Sequence, residues 1–187
     1  MKKLPLVNLT AVDNILSLDR TENINLSSSA LSVFTDFKYQ KAQVIEADTI
    51  ASQALQLMQK SHVRMNVAIS NEEDFLGIIS TNEISEQNII ARLSKGIRRE
   101  DILVKDLMIP KYQLHAFELN DLVNATVGDI ISTLGDYRLR HCLVLDRYNH
   151  HIRGVISSSD IARKLQMNAN ADNEFAFNTI YEEAYIQ

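Results

Sequence analysis

A seven-residue pattern occurs twice in this chain of 187 residues, as GIISTNE at 77–83 and GVISSSD at 154–160. Each copy contains a glycine, two β-branched residues, a serine, two variable residues and a carboxylate. A single supersecondary unit of this kind usually cannot bury its apolar face without a second copy. The repeat therefore predicts two similar units that share one core.

The similarity between the copies extends upstream of the pattern. Residues 63–69 (VRMNVAI) align with 139–145 (LRHCLVL). The two heptapeptides lie one residue further apart than these two segments do, and one extra residue in the second hairpin explains the difference. Further upstream, apolar residues at spacings of three and four begin at Ala51 and again at Val127. This spacing predicts an amphipathic helix in each unit.

Composition limits the classes of function. A 45% hydrophobic content is ample for a core, and the length suits two units of about 60 residues. The net charge of −5 argues against general DNA binding, which needs a basic face. The single cysteine, Cys142, excludes an intramolecular disulfide and lies in an apolar stretch, which predicts a core residue. No signal peptide or membrane segment is predicted, so a cytoplasmic location is expected.

The chain is predicted to be α/β (α+β), with two β-α-β-β-α units. Residues 1–29 are an N-terminal tail, 30–92 the first unit, 93–110 a connection and 111–167 the second unit. The predicted first-unit strands are 44–45, 63–69 and 75–79, with helices at 49–61 and from Thr81. The predicted second-unit strands are 114–117, 139–145 and 152–156, with helices at 127–134 and 158–166. Residues 168–187 form a C-terminal tail whose aromatic spacing predicts an amphipathic helix, docked on its own domain or a dimer partner, or else a disordered tail.

The residue types in the repeat suit a nucleotide. A serine that ends a strand and a carboxylate three residues later would lie at a helix N-terminus, where they can bond a ribose diol and phosphate oxygens. Gly77 and Gly154 would allow close approach to the strand. Arg64 and Arg140 are natural phosphate partners, although both could also be surface residues whose stems cover apolar area.

Several short motifs occur in a fixed order: Asp48-Thr49, Leu57-Met58, 63–64 and 75–83, then VKDLM at 104–108, and then a second copy that ends at Asp160. In this order of motifs the chain resembles a tandem pair of CBS domains over residues 30–167. The resemblance implies two repeats packed sheet to sheet about a pseudo-twofold axis, with two clefts between them. It also implies a homodimer that binds an adenosine-containing ligand (AMP, ADP, ATP or S-adenosylmethionine), needs no obligatory cofactor and regulates another protein. Nothing else in the chain has the size of a catalytic domain, so a stand-alone module is expected.

The resemblance implies clefts built crosswise. The serine and carboxylate of one repeat would be joined by the arginine and pre-strand segment of the other. One predicted cleft comprises Ser157, Asp160, Arg64, Phe34 and Thr35. The second, weaker cleft comprises Ser80, Glu83, Arg140, Met108 and Ile109. Glu83 departs from the aspartate of the family pattern, and Ser80-x-x-Glu83 also has the form of a helix capping box.

Two functions from different classes remain at this stage. The first is a sensor that binds an adenine nucleotide and signals to a regulated protein. The alternative is a ligand-free dimerisation and interaction module that docks through residues 175–185. An enzyme is not predicted because no nucleophile–base order or phosphate-binding loop is present. A metal site is not predicted either, since His141, His150 and His151 lack companion ligands at suitable spacing.

Overall fold

The computed structural model describes residues 24–135, 137, 139–167, 177 and 180–182. Short 3-10 helices occupy 30–33, 99–101 and 111–113. The remaining elements are, in chain order, β1 (Phe34–Asp36), β2 (Val44–Glu46), α1 (Ala51–Lys60), β3 (Met65–Ile69), β4 (Phe75–Ser80), α2 (Glu86–Leu93), α3 (Val104–Leu107), β5 (Ile109–Pro110), β6 (Ala116–Glu118), α4 (Leu119–Leu122), α5 (Val127–Gly135), β7 (His141–Asp146), β8 (His151–Ser157) and α6 (Ser158–Lys164).

The described strands form two four-stranded sheets of matching topology, ordered β2-β3-β4-β5 and β1-β8-β7-β6. In each sheet one pair is parallel, β2 with β3 and β6 with β7, and the other pairs are antiparallel. The predicted β-α-β-β-α repeats and their pseudo-twofold relation are thereby confirmed. The first-unit helix α1 and the second-unit helix α5 begin at equivalent positions, Ala51 and Val127.

Each sheet takes its fourth strand from the segment that precedes the other repeat. The strand β1 lies before the first repeat in the chain, yet it pairs antiparallel with β8 of the second. The strand β5 lies before the second repeat and pairs with β4 of the first. The segment 30–36, which the sequence groups with the first unit, therefore belongs with the second: residues 34–36 pair in its sheet, and Ala30 and Val33 are buried in its core.

Two glycines permit this exchange of strands. A Cβ at Gly154 would overlap the carbonyl oxygen of Thr35 and the ring of Phe34, and a Cβ at Gly77 would overlap the carbonyl oxygen of Ile109. The exchanged strands cross where the repeated pattern begins, and only glycine leaves room for a backbone at that distance.

The core has three parts. One hydrophobic cluster lies under each sheet, and a third lies between the two sheets. The buried members of the third are Ile78, Leu143 and Val155, contributed by both repeats. The two sheets therefore pack face to face, as predicted.

One predicted element is wrong. The second helix of the first repeat begins at Glu86, after an N-cap at Ser85, and not at Thr81. Residues 81–84 form turns, in which Glu83 accepts from the Ser80 N–H and the Asn82 N–H donates to the Ser80 hydroxyl oxygen. In the second repeat, by contrast, α6 follows β8 directly at Ser158, close to the predicted start.

Parts of both predicted tails pack on the second repeat. The carbonyl groups of Leu26 and Ser28 accept hydrogen bonds from Gly128 and Val127 at the start of α5. Of the predicted C-terminal helix, the structure describes Phe177 and residues 180–182, which are helical; Phe177 and Ile180 are fully buried in the second-repeat core. The other residues of that prediction, including Phe175 and Tyr185, lie outside the described residues. Within the described residues, no helix is both long and apolar enough to cross a membrane.

The first prediction concerns the crossing at Gly154. We expect Gly154→Ala to lower the free energy of unfolding by at least about 3 kcal/mol, because neither the Thr35 backbone nor the strand can move without breaking the β1–β8 pairing. The matched control is Gly135→Ala. A Cβ at Gly135 would lie 3.4 Å from the Cβ of Tyr181, an ordinary contact, so a change within about 1 kcal/mol is expected. Equal urea-unfolding midpoints for the two variants would contradict this account.

A second prediction concerns the ion pair that ties β1 to β8. Both nitrogens of the Arg153 fork donate to the Asp36 carboxylate at 2.6 Å, and the Asp36 and Arg153 side chains are only 17% and 23% exposed. The bond from Arg153 lowers the pKa of Asp36 from its ordinary 3.8. A lowered pKa gives stability that is present above the unfolded-state pKa and lost as pH falls through the folded-state pKa.

Asp36→Asn should therefore lower the free energy of unfolding at neutral pH by about 1–3 kcal/mol. This deficit relative to wild type should shrink as the pH falls below about 4, because Asp36 takes up a proton first in the unfolded state and, at still lower pH, in the folded state. Urea unfolding of both proteins across the acid range measures it, with the exposed Asp121→Asn as control. A deficit that is constant with pH would contradict the assignment.

Candidate functional site

A cavity of about 480 Å³ opens between the two repeats. Its walls come from the 37–43 linker between β1 and β2, from the start of β3 and the residues before it, and from the end of β8 with the first turns of α6. The described lining residues are Thr35, Phe37, Gln40, Lys41, Ala42, Gln43, His62, Val63, Arg64, Met65, Val67, His141, Val155, Ser157, Ser159, Asp160, Arg163 and Lys164.

Four residues predicted for the first cleft line this one cavity, namely Thr35, Arg64, Ser157 and Asp160. The strand exchange explains their meeting, since β1 brings Thr35 to β8 and the sheet-to-sheet packing brings the start of β3 opposite the end of β8. The fifth residue, Phe34, packs against the second-repeat core beside Gly154 and is not among the lining residues.

The two serine–carboxylate pairs differ in what they bond. In the first repeat, Glu83 Oε2 accepts from the Ser80 N–H at 2.9 Å and from the Ser80 hydroxyl at 2.5 Å. The Ser80 oxygen in turn accepts from the Asn82 N–H at 3.2 Å, and Ser80 is fully buried. These are the reciprocal bonds of a capping box, although they hold a turn and not the first turn of a helix.

In the second repeat, the equivalent serine and carboxylate, Ser157 and Asp160, do not bond each other. Ser157 is the N-cap of α6, but its hydroxyl makes no capping bond. The Asp160 carboxylate, which is one third exposed, accepts from Arg163 at 2.6 Å, and that arginine is itself 74% exposed. Ser157 and Asp160 thus face the cavity without the mutual bonds that occupy Ser80 and Glu83.

The cavity is cationic although the chain is acidic. Among the described lining residues, Asp160 is the single carboxylate, whereas four side chains are cations: Lys41, Arg64, Arg163 and Lys164. The chain as a whole has a net charge of −5. A concentration of positive charge in a cleft of an acidic protein attracts anions such as phosphate.

The residues predicted for the second cleft are distributed differently. Met108 packs against the first-repeat core and Ile109 against the cluster between the sheets, where β5 crosses Gly77. Arg140 lies directly before β7 and its carbonyl accepts from the Ser158 N–H at 3.0 Å. Ser80 and Glu83 are brought together, but they bond each other.

Several lining residues were missed at the sequence level. Lys41 and Gln43 lie in a polar linker without periodicity, and His62 takes a left-handed conformation at the end of α1 (φ 53°). Their only signal was proximity in sequence to Thr35 and Arg64. Arg163 had a clearer signal, because it lies one helical turn after Asp160.

The single cysteine does not have the features of an activated nucleophile. Burial raises the pKa of Cys142 to about 12, so its thiol stays protonated at neutral pH. Cys142 is 2% exposed, as expected of a core residue. Among the residues that the structure describes, no three His, Cys, Asp or Glu side chains lie together as a metal site requires.

The fold and the cleft define a tandem α/β repeat module with space for a small molecule between its repeats. Residues 122–167, most of the second repeat, match the family model of the CBS domain. Residues 122–167 thus form a CBS domain, and the two repeats together have the fold of a CBS pair. None of the curated proteins matches it significantly.

Solved structures share this fold at low sequence identity. An uncharacterized conserved protein from Pyrococcus horikoshii is 19% identical, with a TM-score of 0.55 and coverage of 79% of this chain and 99% of that one. A CBS-domain protein from Agrobacterium tumefaciens is 14% identical, with a TM-score of 0.55 and coverage of 81% and 98%. CBSX2, whose crystal structure is a complex with AMP, is 19% identical, with a TM-score of 0.51 and coverage of 76% and 99%.

The unequal bonding of the two motifs leads to a third prediction. Glu83→Ala leaves the buried Ser80 N–H and hydroxyl without their acceptor, which should lower the free energy of unfolding by about 1–3 kcal/mol. Asp160→Ala removes only a pair with a largely exposed arginine and should cost about 0.5 kcal/mol. Urea unfolding without ligand measures both. Equal losses of unfolding free energy in the two variants, or a larger loss for Asp160→Ala, would contradict the described difference in bonding between the motifs.

Proposed function

We propose that this chain is a regulatory module that binds one adenine nucleotide in the cleft between its repeats and signals its presence to another protein. The observation that supports it best is the meeting of Ser157 and Asp160, from the second repeat, with Arg64, from the first, in one cationic cavity. The proposal also rests on the family, because CBS-domain proteins are generally regulatory.

The cleft chemistry suits the three parts of a nucleotide. The Asp160 carboxylate can accept both hydrogen bonds of a ribose diol, and the unused Ser157 hydroxyl can bond a ribose or phosphate oxygen. Arg64 offers a planar fork to phosphate, supplemented by Lys41. The apolar part of the cavity, with Phe37 and other side chains from both sheets, can cover a purine face.

The ligand class is also supported by a protein of the same fold. CBSX2 has been crystallised in complex with AMP, and it shares 19% identity with this chain. That likeness favours an adenosine-containing ligand, and we propose AMP, ADP, ATP or S-adenosylmethionine for this cleft. The first-repeat motif is a weaker candidate, since Glu83 is already bonded to Ser80.

The position of the cleft provides a way to signal. A ligand that contacts Arg64 on one sheet and Asp160 on the other favours one relative placement of the two repeats. A ligand shifts an equilibrium only by its difference in affinity for the two states, and contacts to both repeats create such a difference. Homodimerisation, a regulated protein and a cytoplasmic location remain predictions from the family resemblance.

The fourth prediction tests the ligand. Thermal unfolding is followed with AMP, ADP, ATP and S-adenosylmethionine in separate titrations. A ligand present at about 100 times its dissociation constant should add about 2.7 kcal/mol, a shift of roughly 5–10 °C. The shift should disappear in Asp160→Ala and remain in Asp121→Ala, which removes an exposed carboxylate outside the cavity.

Two further variants assign the parts of the ligand. Arg64→Gln should weaken binding of AMP while leaving adenosine unchanged, because it removes a phosphate partner only. Glu83→Ala should keep the full shift relative to its own unliganded midpoint if a single cleft is used. No shift with any of the four ligands, or an undiminished shift in Asp160→Ala, would refute the proposal.

A further inference from the structure

A second cavity, of about 580 Å³, lies between the two sheets at the end where both β-hairpins turn. It is distinct from the nucleotide cleft, because its lining includes neither Ser157, Asp160 nor Arg64. The hairpin turns at its mouth both contain a residue in the left-handed conformation, Glu73 (φ 65°) and His150 (φ 54°).

This cavity lies on the pseudo-twofold axis, because its walls are made of equivalent residues from the two repeats. Ile69 of β3 and Leu145 of β7 are equivalent, each lying at the register shift that precedes its hairpin turn. Phe75 and Ile152 are their partners across the strands. We refer to it as the axial cavity.

The wall of the axial cavity is apolar. Its walls include the two equivalent pairs, Ile69 with Leu145 and Phe75 with Ile152. Three further apolar residues, Phe37, Ala42 and Val67, line both this cavity and the nucleotide cleft. A cavity of 300–1,000 Å³ with apolar walls and a few polar groups is typical of small-molecule sites. The volume of this cavity falls inside that range.

The polar groups at the rim are mainly hydrogen-bond donors. Lys111, His150 and His151 lie there with one carboxylate, that of Glu73. The ammonium of Lys111 lies 5.7 Å from the centre of the Phe75 ring, so the charge is held at the edge of the apolar wall. Donors at the mouth and apolar walls inside suit a molecule with an apolar body and one anionic group.

We propose that the axial cavity is a second ligand site, which binds a small aromatic or aliphatic molecule bearing a single acidic group. The apolar body enters between the sheets and contacts Phe75 and Ile152. The acidic group stays at the mouth, where Lys111 and the two histidines donate to it. The site does not depend on the nucleotide proposal, since its lining includes neither Ser157, Asp160 nor Arg64, although Phe37, Ala42 and Val67 line both cavities.

The experiment uses two fluorescent probes on the full chain without nucleotide. 8-Anilinonaphthalene-1-sulfonate has an aromatic body and one sulfonate, and N-phenyl-1-naphthylamine has the same body without the charge. We expect saturable binding of the sulfonate probe, with one site per chain and an affinity at least about tenfold tighter than that of the neutral probe, a difference of about 1.4 kcal/mol.

Variants test the charged rim and the apolar interior of the axial cavity separately. Lys111→Glu should weaken the sulfonate probe about tenfold and leave the neutral probe unchanged, whereas Lys95→Glu, on an exposed lysine elsewhere, should change neither. The double variant Ile69→Trp/Leu145→Trp narrows the cavity from both equivalent walls and should abolish binding of both probes. Circular dichroism and urea unfolding establish that each variant is folded.

Each outcome decides the proposal. Unchanged binding in the folded double variant would place the probes elsewhere and overturn the site. Equal affinity of the two probes, or no effect of Lys111→Glu, would overturn the assignment of an anionic ligand. If the double variant does not fold, the Lys111→Glu result alone decides. A chain that binds the sulfonate probe here but no adenine nucleotide would refute the proposed function and leave this site standing.

Discussion

The exchange of strands across Gly77 and Gly154 is the constraint on which the rest of the structure depends. Each repeat supplies three strands of its sheet, and the fourth comes from the segment before the other repeat. Neither sheet is complete without chain from both halves, so the two repeats are tied by backbone hydrogen bonds as well as by apolar packing. The bidentate pair of Asp36 with Arg153 reinforces one of these crossings. This arrangement brings Thr35 against the end of β8 and so builds one wall of the cleft for which a nucleotide is proposed.

The repeat is symmetric in its backbone and asymmetric in its polar chemistry. Ser80 and Glu83 bond each other around a turn, and the helix that follows starts only at Glu86. In the second repeat the helix follows the strand directly, and the Ser157 hydroxyl makes no capping bond. An aspartate can bond back in the same way, since Asp129 accepts from the Thr126 N–H and hydroxyl at the start of α5. The fold is therefore kept whether the serine and carboxylate bond each other, as in the first repeat, or line the cavity, as in the second.

The sequence predicted most of the repeat because its signals are local. Apolar periodicity located the helices that begin at Ala51 and Val127, and the repeated heptapeptide located β4 and β8. The helix predicted from Thr81 begins instead at Glu86, where the Ser85 side chain supplies the N-cap by accepting from the Asn88 N–H. The place of β1 in the other repeat's sheet is a long-range pairing without a local signature. The cleft residues known from the motif were therefore predicted, whereas Lys41 and its neighbours in the linker were not.

Residues of the linker between β1 and β2 line both cavities. Phe37 and Ala42 of this linker, with Val67 of β3, line both the proposed nucleotide cleft and the axial cavity. Its ends are held by different sheets, since β1 pairs with β8 and β2 with β3. A shift of one sheet relative to the other must be taken up by the segments that join them, which are residues 37–43 and the equivalent residues 111–115. A ligand that holds these side chains in one cavity therefore fixes part of the wall of the other, which is the physical requirement for coupling between two sites.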